Sequence, residues 1–274
     1  MGLRINQNVE AMNSYRHLSE TNNAMSKSLE KLSSGFRINR AADDAAGLSI
    51  SEKLRSQVGG FKVAMQNAQD GISMLQTAEG ALNETTSLLQ RVRDLAVQSA
   101  NGTQDTESRA AADAEVTSAL SEIDRIANST KYGSTSLLSA TTAFTFQVGN
   151  TSAASDKISV SVSAMTQSGL SISGLSISTV AAAASALASI DFAISTVSGQ
   201  RSQFGAVQNR LEHTVSNLGV AVENLSASES RIRDTDMASE MVNFTKAQIL
   251  SQAGTAMLAQ ANQAPQSVLS LLRG

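Results

Sequence analysis

From Ala11 onward, one position in every three or four falls on a common stripe: Ala11, Tyr15, Leu18, Asn22, Met25, Leu29 and Leu32. This 4,3 spacing predicts a helix that meets another helix along a seam. The seam stops at Gly35, where a helix is expected to end. A second seam opens behind Asp43 and Asp44, whose carboxylates suit the free N–H groups and positive dipole of a helix start. It runs Ile50, Leu54, Val58, Phe61, Met65, Ala68, Ile72, Leu75, Glu79, Leu82, Thr86, Leu89, Val92 and Leu95. Gly59 and Gly60 lie inside it and predict a bend rather than a stop. "SANGTQDTESRAA" reads as a loop around Gly102, and a third helix carries Val116, Leu120, Ile123 and Ile126.

The period then changes. Phe144, Phe146 and Val148 alternate with Thr145 and Gln147, and after "GNTSAASD" Ile158, Val160 and Val162 alternate with serines. A period of two with β-branched residues predicts a hairpin with a long loop. "LSISGLSIS" is expected to add a further short extended piece. Helical spacing returns with Leu187, Ile190, Ile194, Val197, Leu211, Val215, Leu218, Val222 and Leu225. Beyond "RIRDTD" a last helix is predicted on the register Leu250, Gly254, Met257, Ala261, Ala264, Val268 and Leu271. The fold class is therefore mainly α: a long antiparallel helical bundle or coiled coil with a short β-hairpin segment, its N- and C-terminal helices paired.

Composition sharpens this picture. The chain has 274 residues, with no Trp, two Tyr, seven Phe and one Pro. Such a mixture favours long helices. A net charge of −3 with scattered Lys and Arg excludes the basic stripe that nucleic acid requires. With no cysteine, disulfides, thiolate metal sites and a cysteine nucleophile are excluded. Arg4, Asn6, Gln7, Asn8 and Glu10 occupy the place where a signal peptide needs an apolar run, so a cleaved leader is not expected. No window reads as a membrane span, because Ser, Thr, Gln or Asn breaks each uncharged stretch. His17 and His213 stand alone without a metal-binding spacing, and Asp43–Asp44 reads as a cap before an acid/base pair. No cofactor and no enzyme chemistry is expected.

The two ends offer few large apolar residues for the backbone they must order, so the terminal pair is expected to be marginal alone. Between Lys246 and Arg273 there is no charge, yet Gln248, Gln252, Gln260, Asn262, Gln263 and Gln266 keep the segment out of lipid. A helix neutral on every side is expected where protein surrounds it.

"LEKLSSGFRINRAADDAAGLSISEKLRSQ", "NAQDGISMLQTAEGALNETTSLLQRVRDLAVQSANGT", "FGAVQNRLEHTVSNL" and "MVNFTKAQILSQAGTAMLAQANQAPQSVLSLLRG" closely resemble bacterial flagellin, in a compact form without the variable outer domains. The resemblance covers nearly all of the chain outside residues 140–200. It implies residues 1–34 with 237–274 as an inner terminal coiled coil, 35–47 with 227–236 as spoke linkers, and 48–226 as an outer helical domain with its hairpin region near 141–178. It implies a subunit that assembles into the flagellar filament for motility, the terminal helices ordering on polymerisation; a hook-filament junction or other axial protein of the flagellum is the alternative.

By the same resemblance, Leu18, Met25, Leu29, Leu32, Leu250, Met257, Leu258, Val268, Leu271 and Leu272 serve subunit packing. Gly35, Phe36, Arg37, Ile38, Asp43 and Asp44 form the spoke, with Asp43, Asp44, Asp234 and Asp236 as candidate partners for Arg37 and Arg40. Arg91, Leu95, Glu115 and Arg210 match the face that the mammalian innate flagellin receptor recognises. The implied partners are further copies of the chain, an export chaperone on the C-terminal helix, and flagellar cap and junction proteins; neither nucleic acid nor a membrane is among them. The implied location is extracellular, in the flagellum, reached through the flagellar secretion channel without a cleaved signal peptide.

Overall fold

A computed structural model describes residues 7–273, with side chains described up to Gln263. Five helices dominate: α1 (Val9–Ser34), α2 (Ala45–Ala100), α3 (Thr106–Ser129), α4 (Val180–Arg233) and α5 (Met237–Arg273). Two antiparallel strand pairs lie between α3 and α4: β1 (Lys131–Tyr132) with β2 (Thr135–Ser136), and β3 (Thr142–Gln147) with β4 (Lys157–Val162). The chain divides into a terminal unit, residues 1–56 with 224–274, and a central unit, residues 57–223.

In the central unit, the 4,3 stripes of α2, α3 and α4 supply the core. Leu75, Leu82, Leu89 and Val92 meet Val116, Leu120 and Ile123, and Ile190, Val197, Phe204 and Leu211 complete it. The β3–β4 hairpin adds Ile158, Val160 and Val162, alternating with exposed Lys157, Ser159 and Ser161 as the period of two requires. Phe144 pairs with Val160, and Phe146 with Ile158. The free side of β4 is met by a buried amide: Gln200 Nε2 donates to the Ser161 carbonyl (3.0 Å) and its Oε1 accepts from Ser163 N–H (3.2 Å).

Helix α2 runs through Gly59–Gly60 without a stop, as one element from Ala45 to Ala100. Gly60 answers a different demand. A Cβ there would stand 1.8 Å from Asn150 Oδ1, and one at Gly71 would stand 2.9 Å from the Phe146 ring. Between them Asn67 Nδ2 donates to the Gln147 carbonyl (3.1 Å). Small residues on this face of α2 let the hairpin lie close against it.

"LSISGLSIS" is not extended. Leu170, Ile172 and Ile177 are buried, but the backbone turns through left-handed Ser171 (φ 59°) and Gly174 (φ 70°). Carboxylates on α3 hold this stretch: Asp113 accepts from Ile177 N–H (2.6 Å) and Ser176 Oγ (3.0 Å), and Asp124 accepts from Gln167 N–H (2.8 Å). The β1–β2 turn, around left-handed Gly133, is an element that hydrophobic period does not reveal in four residues.

The exclusion of a membrane-spanning window needs one correction. An 18-residue window in α4 reaches a mean hydropathy of 1.7, long and apolar enough by length and composition alone. Alanines with Leu187, Ile190 and Ile194 produce most of the value, and every third or fourth residue of α4 from Ala183 to Leu211 is buried in the core.

Candidate assembly surface

The terminal unit is an antiparallel pair of α1 and α5. Asn8 starts α1: its Oδ1 accepts from Ala11 N–H (3.0 Å), and its Nδ2 crosses to the Ala261 carbonyl (2.7 Å). Farther along, Leu18 lies against Gly254, where a Cβ would come within 3.3 Å of it. Ser251 donates to Asn22 Oδ1 (3.0 Å), and Lys31 stands 4.0 Å from Glu240.

The residues shielded on the facing stripe of α1 are Ala11, Ser14, Leu18, Thr21, Met25, Ser28 and Leu32, with Glu30 and Lys31 half-buried beside it; along α5 they are Glu240, Phe244, Ala247, Ser251, Gly254, Leu258 and Ala261. Both sets keep the 4,3 spacing, but not the register expected from hydrophobicity. Leu18, Met25, Leu32 and Leu258 face the pair, whereas Tyr15, Asn22, Leu29, Leu250 and Met257 are exposed. Hydroxyls, alanine and glycine fill the alternate layers instead. Val268, Leu271 and Leu272 lie outside the residues whose side chains are described.

The consequence is a helix pair with many of its larger apolar residues turned outward. Val9, Met12, Tyr15 and Leu29 on α1, and Met237, Met241, Val242, Ile249, Leu250 and Met257 on α5, are all exposed. Met241, Val242, Thr245, Lys246, Ile249 and Leu250 line a shallow groove of about 470 Å³ along α5 itself. Apolar surface arranged this way is of the kind that protein–protein contact surfaces show.

The linkers between these helices are tied by their own backbone. Gly35 takes the left-handed conformation (φ 77°) and donates to the Lys31 carbonyl (2.8 Å), ending α1. Phe36 then bridges Asp234: Arg37 N–H donates to the Arg233 carbonyl (2.6 Å), and Thr235 N–H to the Gly35 carbonyl (3.0 Å). Arg233 sits over the Phe36 ring (4.8 Å to the centroid) and pairs with Glu52 (2.6 Å). Ile38 is buried.

None of the candidate Arg–Asp pairs forms. Arg37 donates to the Ile232 carbonyl (2.6 Å) and Arg40 to Glu30 (2.8 Å). The aspartates are engaged by backbone: Asp43 accepts from Asn39 and Arg40 N–H, Asp44 from Gly47 N–H, and Asp236 from Ala238 and Ser239 N–H. Asp234 accepts from Ser230 Oγ. The Arg40 N–H, followed by that of Asn39 and the charges of Lys27 and Lys31, holds the Asp43 carboxyl below the usual carboxylate range.

On the central unit, Arg91 and Glu115 form an exposed ion pair between α2 and α3 (2.7 Å), and Arg210 is exposed on α4. Leu95 is only 4% exposed and belongs to the core, so it is not a surface contact. Among the described residues no group of three or more acidic or histidine side chains could hold a metal ion.

A helix pair with an outward apolar face, closed by a glycine-ended linker, is matched by two family models: the bacterial flagellin N-terminal helical region over residues 5–143 and the C-terminal helical region over 187–272. This chain belongs to the bacterial flagellin family. The flagellin of Bacillus subtilis strain 168 is 49% identical to it, over 99% of this chain and 100% of that one. Flagellin FlaB2 of Treponema pallidum strain Nichols is 46% identical, over 98% of this chain and 99% of its own. A solved flagellin of Bacillus cereus is 31% identical, with a TM-score of 0.49 over 56% of this chain and 88% of that one. Both relatives align along nearly their whole length, so this flagellin has the compact form, and residues 144–186 are what the two family models leave between them.

Proposed function

We propose that this flagellin is a structural subunit, polymerising with copies of itself into the extracellular filament of the bacterial flagellum and so serving motility. The observation that carries the reading is the terminal pair itself, which sets Ser14, Thr21, Ser28, Ser251 and Gly254 in alternate layers with Leu18, Met25, Leu32, Phe244 and Leu258 and turns Met12, Tyr15, Leu29, Ile249, Leu250 and Met257 outward. Such a pair gains little from its own seam and much from neighbouring copies. Ordering of α1 and α5 is therefore coupled to polymerisation, the entropy of ordering being offset only as copies stack. Family membership and the named relatives favour a filament subunit over a hook-filament junction component.

Finer expectations extend this reading. The chain passes through the flagellar export channel, an export chaperone covers the apolar face of α5 on the way, and cap and junction proteins meet the chain at the filament's ends. A mammalian innate receptor would meet the exposed Arg91, Glu115 and Arg210 rather than the buried Leu95. Nothing in the reading asks for catalysis.

Two substitutions test the assembly role. Leu250→Asp places a charge on the outward face and Leu258→Asp places one in the seam; both should leave a soluble monomer with an unchanged central unit that fails to elongate filament seeds. Electron microscopy of seeded reactions reads the outcome, and filaments of normal length from Leu250→Asp would overturn the assignment of this face.

A further inference from the structure

The nine methionines are divided unevenly. Met1, Met12, Met25, Met237, Met241 and Met257 belong to the terminal unit, and Met65, Met74 and Met165 to the larger central unit. The most exposed of them lie in the terminal unit, where Met25 is half-buried in the helix pair. Met12, Met237, Met241 and Met257 are 47–69% exposed, whereas Met74 and Met165 are buried and Met65 is half-buried. The chain has no cysteine, so these thioethers are its only sulfur.

We propose that Met12, Met237, Met241 and Met257 are thioether oxidation sites, open to hydroperoxides in the free chain and shielded in the polymer, whose conversion to sulfoxides blocks assembly. The inference rests on the filament reading above. A flexible, polarisable thioether suits an outward face that must fit neighbouring copies. The same atom is the weak point of such a face. In the reaction, the Sδ lone pair attacks one peroxide oxygen and the O–O bond breaks. Sulfur is oxidised to the sulfoxide as the peroxide is reduced, leaving as water when hydrogen peroxide is the oxidant. The product carries a strongly polar S=O group, and burying it against an apolar neighbour without a hydrogen-bond donor is unfavourable. Buried Met74 and Met165 face no such exposure to solvent and Met65 only part of it, so damage concentrates on the assembly surface.

The test treats free chain and preassembled filament with hydrogen peroxide, maps the added oxygen by peptide mass, and measures growth on fresh seeds. In the free chain the four sites should oxidise ahead of Met74 and Met165, and seeded elongation should fall by about tenfold or more. In the filament the same four should be protected. Methionine sulfoxide reductases of both epimer specificities should restore growth. A variant with all four residues changed to Leu should elongate seeds after peroxide treatment; should it assemble poorly, the reductase arm decides instead. Full growth of oxidised chain, equal oxidation of free and polymerised chain at the four sites, or a block the reductases do not reverse would each overturn the proposal. Untreated protein that fails to extend seeds would sink the filament reading itself, whereas the order of oxidation in the free chain is tested independently by the masses.

Discussion

At the scale of single residues, two neighbouring glycines do opposite things. Gly59 has open space where a Cβ would stand, while Gly60 is covered by the Asn150 side chain and Gly71 by the Phe146 ring. Gly59→Ala should therefore stabilise the central unit by about 0.5–1 kcal/mol, the ordinary gain of alanine over glycine inside a helix. Gly71→Val should cost about 1–3 kcal/mol, because the added methyls drive the Phe146 ring off β3's packing position. Denaturant midpoints of the two variants check the pair, and equal midpoints would remove the close-approach account of Gly71. Asp105, the N-cap of α3, gives a pH-dependent counterpart. The Ser108 hydroxyl and then its N–H hold the Asp105 carboxyl below the ordinary range. Its folded value lies under its unfolded one, so its contribution is complete above about pH 4 and is lost as pH falls through the lower folded value. Asp105→Asn can still cap, so thermal unfolding followed over an acid series should lose part of its pH slope with little change at neutral pH.

At the scale of elements, the stretch between β4 and α4 shows how irregular backbone is fixed without a ladder. Asp113 receives both Ser176 Oγ and Ile177 N–H, and Ser99 Oγ donates to the Ile177 carbonyl. Asp113→Ala leaves the Ile177 N–H without its acceptor and the Ser176 hydroxyl with only Ser178 Oγ, at a cost of about 1.5–3 kcal/mol for the lost bonds to a charged group. Amide exchange at Ile177 should quicken while exchange in the middle of α2 keeps its rate, and a uniform change across both would argue against a local tether. The same region marks where sequence runs out as a guide. The helices and the β3–β4 hairpin were legible, since buried stripes of 3.6 and 2 residues survive in any register that keeps a core. The 166–179 turns were not, because they depend on carboxylates of α3 that lie about forty to sixty positions away. In α1 the period was legible but the seam's register was not: Tyr15 and Leu29 are larger than Ser14 and Ser28, yet the smaller residues face α5. Hydrophobicity locates what is eventually buried, and in a polymerising chain that includes surfaces no single copy covers.

At the scale of the whole molecule, the two units rest on different kinds of burial. The central unit closes Leu75, Leu82, Leu89, Phe204 and Leu211 completely, whereas the terminal unit has Ser14, Thr21, Ser28, Ser251 and Gly254 at its layers. A single cooperative transition is therefore not expected of the free chain. Limited proteolysis should remove residues before about 56 and after about 224 first, leaving the central unit, with filament protecting the same bonds. Filling the thin seam turns this into a directed experiment. Ser14→Leu with Thr21→Leu should add about 1–2 kcal/mol per residue of apolar burial between α1 and α5. The free variant should then show more helix by circular dichroism, slower loss of its ends to protease, and a smaller gain of helix when it joins a filament. If the doubled leucines raise neither helicity nor protection in the free chain, small seam residues are not what keeps the terminal pair marginal, and the coupling between its ordering and assembly must originate elsewhere.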